Sequence, residues 1–108
     1  PWAGQVAAMA GVALPVVPER RHIFIAQPAP GASWDDAAYA GRTPASRLMV
    51  IDFDTTFYFH REGAGLLFGM GDRSERPGFE TTVRWDFLPE VTETAVTRLP
   101  ALADASVT

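Results

Sequence analysis

The chain has 108 residues with a net charge of −4, and its 47% hydrophobic and 20% charged residues mark an ordinary globular composition rather than a disordered one. That length holds one domain around a modest core, and the acidic balance argues against nucleic acid as the main partner, since phosphate recognition needs a clustered positive field. There is no cysteine, which excludes disulfides, thiolate metal sites and a cysteine nucleophile. No apolar run approaches the ~20 residues of a membrane-spanning helix and no charged n-region opens the chain, so no membrane partner is expected and the cytoplasm is the expected compartment.

In chain order, Trp2, Val6, Met9 and Ala10 recur at helical spacing before Gly11, which predicts a short helix over Trp2 to Ala10. Prolines bracket a β-branched and aromatic run that predicts a strand over Arg20 to Gln27. Gly31 to Ser46 is rich in Gly, Ala, Ser and Pro and reads as an excursion, with a turn of helix around Asp35 to Tyr39. Strands follow at Leu48 to Phe53, Thr56 to Arg61 and Gly65 to Met70, the last two joined by a hairpin turn at Glu62-Gly63-Ala64-Gly65. Asp72 to Glu80 is a polar loop. A helix from Phe87 to Leu99 comes next, with Asp86 as its N-cap, Pro89 in the first turn, and Leu88, Val91, Ala95 and Leu99 along one face. The chain begins at Pro1 and stops on a strand-like Ser106-Val107-Thr108, which reads as a segment cut from something longer.

Strands grouped between helices predict an α+β fold, a mainly antiparallel sheet with helices packed on one face. The other face is then left for polar residues or a partner.

Chemistry-bearing residues are few. His22 and His60 lie on different strands without HxH, HExxH or carboxylate spacing, so no metal is assigned. Asp52 and Asp54 read as turn-capping carboxylates. There is no GxSxG elbow and no GxGxxG between a strand and a helix, so no catalytic residue and no dinucleotide loop is assigned. Gly69 and Gly71 within a strand point to a close backbone approach or a bulge. By strand alternation Thr56, Tyr58 and His60 share one face and Phe57 and Phe59 the other. The phenylalanine face belongs to the core, which puts Tyr58 and its hydroxyl on the free face.

Several stretches carry a resemblance. "PWAGQVAAMAGVALPVVPERRHIFIAQP" resembles the middle of FAD-dependent amino-acid and amine oxidoreductases of the D-amino-acid oxidase, glycine oxidase and sarcosine oxidase type. In that family a tryptophan-containing helix precedes a "P-x-R-R/G-Q" strand, here Pro18-Glu19-Arg20-Arg21. "FYFHREGAGLLFGMGD" is similar to the family's tyrosine strand, hairpin and "G-x-L-x-x-G" strand, and "WDFLPEVTETAVTRLPALADASV" to the helix before the sheet returns to the flavin. The match covers nearly the whole chain and is most like sarcosine oxidase β-subunit-like proteins.

The resemblance implies that residues 1–108 are the substrate-binding domain of a larger flavoprotein that oxidises an amine or amino acid at a C–N bond. FAD would be bound by the parent protein and not by these residues, which alone would be inactive. The family's substrate-contacting tyrosine falls on Tyr58, although Arg61 stands where the family has a proline; Thr56 and His60 would line the same cavity. The resemblance places no carboxylate-pairing arginine within these residues. The alternative is a standalone β-rich binding module without enzymatic activity that forms a homodimer through its bare sheet face; the isolated segment of the flavoprotein is also expected to be able to pair through that face.

Overall fold

A computed structural model describes residues 1–36, 39 and 48–108. The predicted turn of helix around Asp35 to Tyr39 falls partly outside these, as does the rest of the excursion at 40–46. The elements are helix α1 (Ala3–Met9), strands β1 (His22–Gln27), β2 (Met49–Ile51), β3 (Tyr58–Glu62) and β4 (Gly65–Met70), helix α2 (Leu88–Arg98) and strand β5 (Ser106–Val107). The strands form one antiparallel sheet in the order β2-β3-β4-β1-β5. The fold is α+β.

Turn chemistry sets the register. Glu62 pairs with Gly65, leaving Gly63-Ala64 as a two-residue loop, and only Gly63 has positive φ (57°), the pattern of a II′ turn. That pairing places Tyr58 opposite Gly69, Phe59 opposite Phe68 and His60 opposite Leu67, while β1 sets Phe24 against Phe68 and Ala26 against Leu66.

Alternation then sorts the side chains into two faces. Phe24, Ala26, Phe57, Phe59, Leu66, Phe68 and Met70 are buried with Val91, Ala95 and Leu99 of α2. Phe24 and Phe57 lie 5.7 and 6.2 Å from Phe68, ring centroid to centroid, in tilted contacts. Each such side chain contributes roughly 1.5–3 kcal/mol on burial, so this face holds the domain together. Trp34 and Tyr39 join the same core at 1% and 7% exposure, which makes the described part of the excursion structural rather than a surface loop.

Two expectations need correction. Asp86 is not the N-cap of α2; Phe87 is, without a side-chain cap bond, and Asp86 sits in a 3₁₀ turn (Trp85–Phe87) ion-paired to Arg84 at 3.1 Å. The second concerns α1, which buries none of its residues; beside it Trp2 stacks its ring on Phe79 with centroids 4.4 Å apart, and Gly4 lies close to the Val16 carbonyl.

Candidate functional site

The face of the sheet opposite α2 carries Ile23 and Ile25 from β1, Leu67 and Gly69 from β4, Tyr58 and His60 from β3, and Met49 and Ile51 from β2. Ile23, Met49 and Ile51 are exposed and Tyr58, His60 and Leu67 half-buried. It is a largely apolar surface with Tyr58 and His60 set into it, and Gln27 and Glu62 share the face toward the hairpin end.

Tyr58 is held by what Gly69 lacks. A Cβ on Gly69 would stand 2.6 Å from the Tyr58 hydroxyl oxygen and 2.6 Å from the His22 carbonyl oxygen. The ring therefore lies across the bare backbone of β4 toward β1, and the close approach expected at Gly69 is this contact. The hydroxyl makes no hydrogen bond among the described residues. Burial raises the phenol's pKa, with the nearby charge of Arg21 acting against the rise.

Thr56 is the residue that alternation misplaced. β3 begins only at Tyr58, and Thr56 lies before it with φ at 64°, a conformation costly for a β-branched side chain. Its hydroxyl accepts the Gly71 N–H at 3.0 Å, so it reaches the rim of the open face from a turn rather than from the strand. His60 is on the strand as expected, but its Nδ1 lies 2.9 Å from its own neighbour's carbonyl, Arg61 O, and 3.7 Å from Glu62. Tyr58 and His60 thus share the open face, and Thr56 stands at its edge.

Arg21, just before β1, comes to the same rim. Its guanidinium carbon would be 3.9 Å from a Cβ on Gly71, beside the Thr56 hydroxyl, and its Nη2 donates to Glu19 at 2.8 Å. A shallow hollow of about 170 Å³ opens here, lined by Glu19, Arg21, Thr56, Gly71 and Arg73 among others. Two larger hollows of about 390 and 400 Å³ lie elsewhere, one against Val50, Phe57, Phe59 and Arg98, the other against Asp54, Asp72, Ser74 and Glu90. An open sheet face becomes a cavity only when another body stands opposite it, so size does not rank these places.

The remaining titratable groups hold the molecule together. Asp52 accepts the Asp54 N–H at 3.0 Å and the Thr55 hydroxyl at 2.9 Å and pairs with Arg98, the turn-capping role expected of it. Behind the open face, Arg20 pairs with Glu75 at 3.0 Å and Arg84 with Asp72, while buried His22 accepts the Arg84 N–H through Nε2 at 3.0 Å. The sequence shows this network only as an Arg20-Arg21 pair and a polar loop, because Glu75 lies 55 residues from Arg20 and Arg84 lies 62 residues from His22. No group of three or more histidines and acids is placed to hold a metal among the described residues, and no helix among them is long and apolar enough to cross a membrane.

No family model, no curated protein and no solved structure matches this chain.

Proposed function

We propose that this chain is the substrate-binding domain of a cytoplasmic FAD-dependent oxidoreductase that oxidises an amine or amino acid at a C–N bond. The observation that carries the reading is the one-sided sheet: α2 covers one face, and the other presents a tyrosine hydroxyl without a partner among the described residues in an apolar surface. Such a face suits the wall of a cavity closed from outside the chain. The exposed side chains of Trp2, Val6, Met9, Val12, Leu14, Val16 and Val17 support the same reading, since they are apolar surface that another body would cover.

FAD has no cradle among the described residues. Among the described residues no Gly-rich turn leads from a strand into a helix, and α1 has only seven residues. The reading therefore assigns the flavin to the rest of the protein and its redox chemistry to the flavin. This chain supplies shape, exclusion of water and the Tyr58 hydroxyl.

The test is the visible spectrum of the protein made from the gene's full reading frame. Flavin absorption that bleaches with an amino acid or secondary amine is the expected result, and a colourless, well-folded protein would overturn the reading. In the coloured protein Tyr58→Phe should lower kcat/KM by about tenfold, the loss of roughly one hydrogen bond to a charged group. Unchanged kinetics would remove Tyr58 from the site.

A second reading has its own observation. Ile23, Met49 and Ile51 are about half exposed on a face that ends at the short edge strand β2, which suits a binding module that dimerises through the sheet. Sedimentation of the protein made from the gene's full reading frame decides it: a dimer broken by Ile51→Lys supports the module, since the flavoprotein reading covers that face, and a monomer removes it.

A further inference from the structure

We propose that the hollow around Arg61, on the opposite side of the sheet from Tyr58, binds a small phosphate monoester. The inference goes beyond the functional reading above and does not depend on it.

A buried and poorly compensated charge carries the argument. Alternation along β3 puts Arg61 with Phe59 and opposite Leu66, on the side of the sheet that holds the core. Its side chain is only 9% exposed, and its Nε is buried without a hydrogen-bond partner among the described residues. A guanidinium taken so far out of water needs acceptors that are themselves fixed beside it. Arg61 has one, the carboxylate of Asp35, which accepts from Nη1 at 3.2 Å and from Nη2 at 3.4 Å. These bonds are long beside the roughly 2.7–2.9 Å of a strong charge-assisted pair, and the Asp35 side chain is 81% exposed, so its carboxylate stands mostly in water. Arg20 shows the contrast. At 14% exposure it has a buried carboxylate, Glu75, at 3.0 Å and the Thr82 carbonyl at 2.8 Å.

The space beside Arg61 suits a ligand that supplies what is missing. A hollow of about 340 Å³ opens there, lined by Gln27, Ser33, Asp35, Arg61, Gly63 and Ala64 among others, at the small end of the roughly 300–1,000 Å³ of small-molecule sites. Asp35 is the single acid in its lining. The Ser33 hydroxyl accepts the Asp35 N–H at 3.2 Å and keeps its own proton to donate, and the Gln27 carboxamide adds N–H donors. A free carboxylate would only trade places with Asp35, which is tethered beside the guanidinium and so competes at high effective concentration. A phosphate monoester brings a charge of about −1.5 to −2 and three acceptor oxygens, enough for the guanidinium fork, the hydroxyl and the amide together. Pro28, Ala32 and Ala64 leave apolar wall for its organic remainder.

The experiment follows the Arg61 Nε–H and the Ser33 N–H of this chain by NMR during titration with ethyl phosphate, and with acetate as the carboxylate control, at constant ionic strength. Saturable shifts with ethyl phosphate, binding at least tenfold weaker with acetate, and unmoved Tyr58 ring resonances are expected. Arg61→Gln should weaken ethyl phosphate binding at least tenfold. Asp35→Asn, a change at an exposed position that removes the internal competitor, should tighten it several-fold and enlarge the rise in Tm that ethyl phosphate produces. That second variant decides the matter if Arg61→Gln does not fold. The absence of saturable shifts, an equal response to acetate, saturable shifts at Tyr58 instead, wild-type affinity in Arg61→Gln, or unchanged affinity in Asp35→Asn would each overturn the proposal.

Discussion

Gly69 is the residue on which the open face depends. Its missing side chain lets the Tyr58 ring lie flat over β4 and lets the His22 carbonyl approach from β1. Gly69→Ala should therefore destabilise the domain by about 1–3 kcal/mol in urea unfolding, as overpacking does where the obstruction is backbone and cannot yield. Gly78 is the control, because a Cβ there meets only the Arg76 carbonyl at 3.9 Å and its φ is not positive. Gly78→Ala should leave stability unchanged or raise it by up to about 1 kcal/mol. The pairing behind this contrast was legible in the sequence: with the turn at Glu62 to Gly65, four residues back and four forward bring Tyr58 opposite Gly69. Thr56 was not legible, because alternation assumes an extended chain and the positive φ at this residue breaks it.

At the scale of elements, the two helices share a periodic sequence and have opposite fates. Val91 and Ala95 of α2 are buried in one core with Phe24, Phe57 and Phe68, while Val6 of α1 is 62% exposed. Val91→Ala should cost about 1–3 kcal/mol and Val6→Ala less than about 0.5 kcal/mol, read from the same denaturation curves. Equal costs would show that α1 packs in solution against surface it leaves bare here. Periodicity reports that a helix has an apolar stripe but not whether the stripe's partner lies in the same chain, which is why α1 was expected beneath the sheet. The start of α2 was misread for a related reason: Asp86 has the chemistry of an N-cap, but Arg84 two residues earlier is a stronger partner and draws it into an ion pair. Trp34 was hidden by its setting, since a Gly- and Pro-rich surrounding gives no hint that one aromatic side chain inside it completes a core.

Across the whole molecule, the buried polar network fixes how stability responds to acid. His22, 3% exposed, joins β1 to the segment before α2 by accepting the Arg84 N–H. With Nε2 as the acceptor the proton sits on Nδ1, which is buried without a partner, so the neutral ring already carries one unsatisfied donor. Protonation would add a second N–H pointing at the Arg84 N–H. Burial lowers the pKa of His22 below its ordinary 6.5, the charges of Arg20 and Arg84 press the same way, and Glu75 and Asp72 oppose them. Because the folded pKa is the lower one, the unfolded chain binds more protons at pH values between the two. The contribution of His22 is then complete above the unfolded value near 6.5 and is lost as pH falls toward the folded one. Asp72 follows at lower pH. Burial raises its pKa, but hydrogen bonds from Ser74 and the charge of Arg84 outweigh this and leave it below 3.8, so its share persists above that value and is lost beneath it. Urea unfolding between about pH 7.5 and 5 should thus show stability falling on acidification. His22→Gln, whose amide oxygen can accept the Arg84 N–H without titrating, should remove most of that slope. A variant with the wild-type slope would locate the titrating group elsewhere. Amide exchange at Arg84 gives a second check, since its N–H should lose protection in the wild type over the same pH range and keep it in the variant.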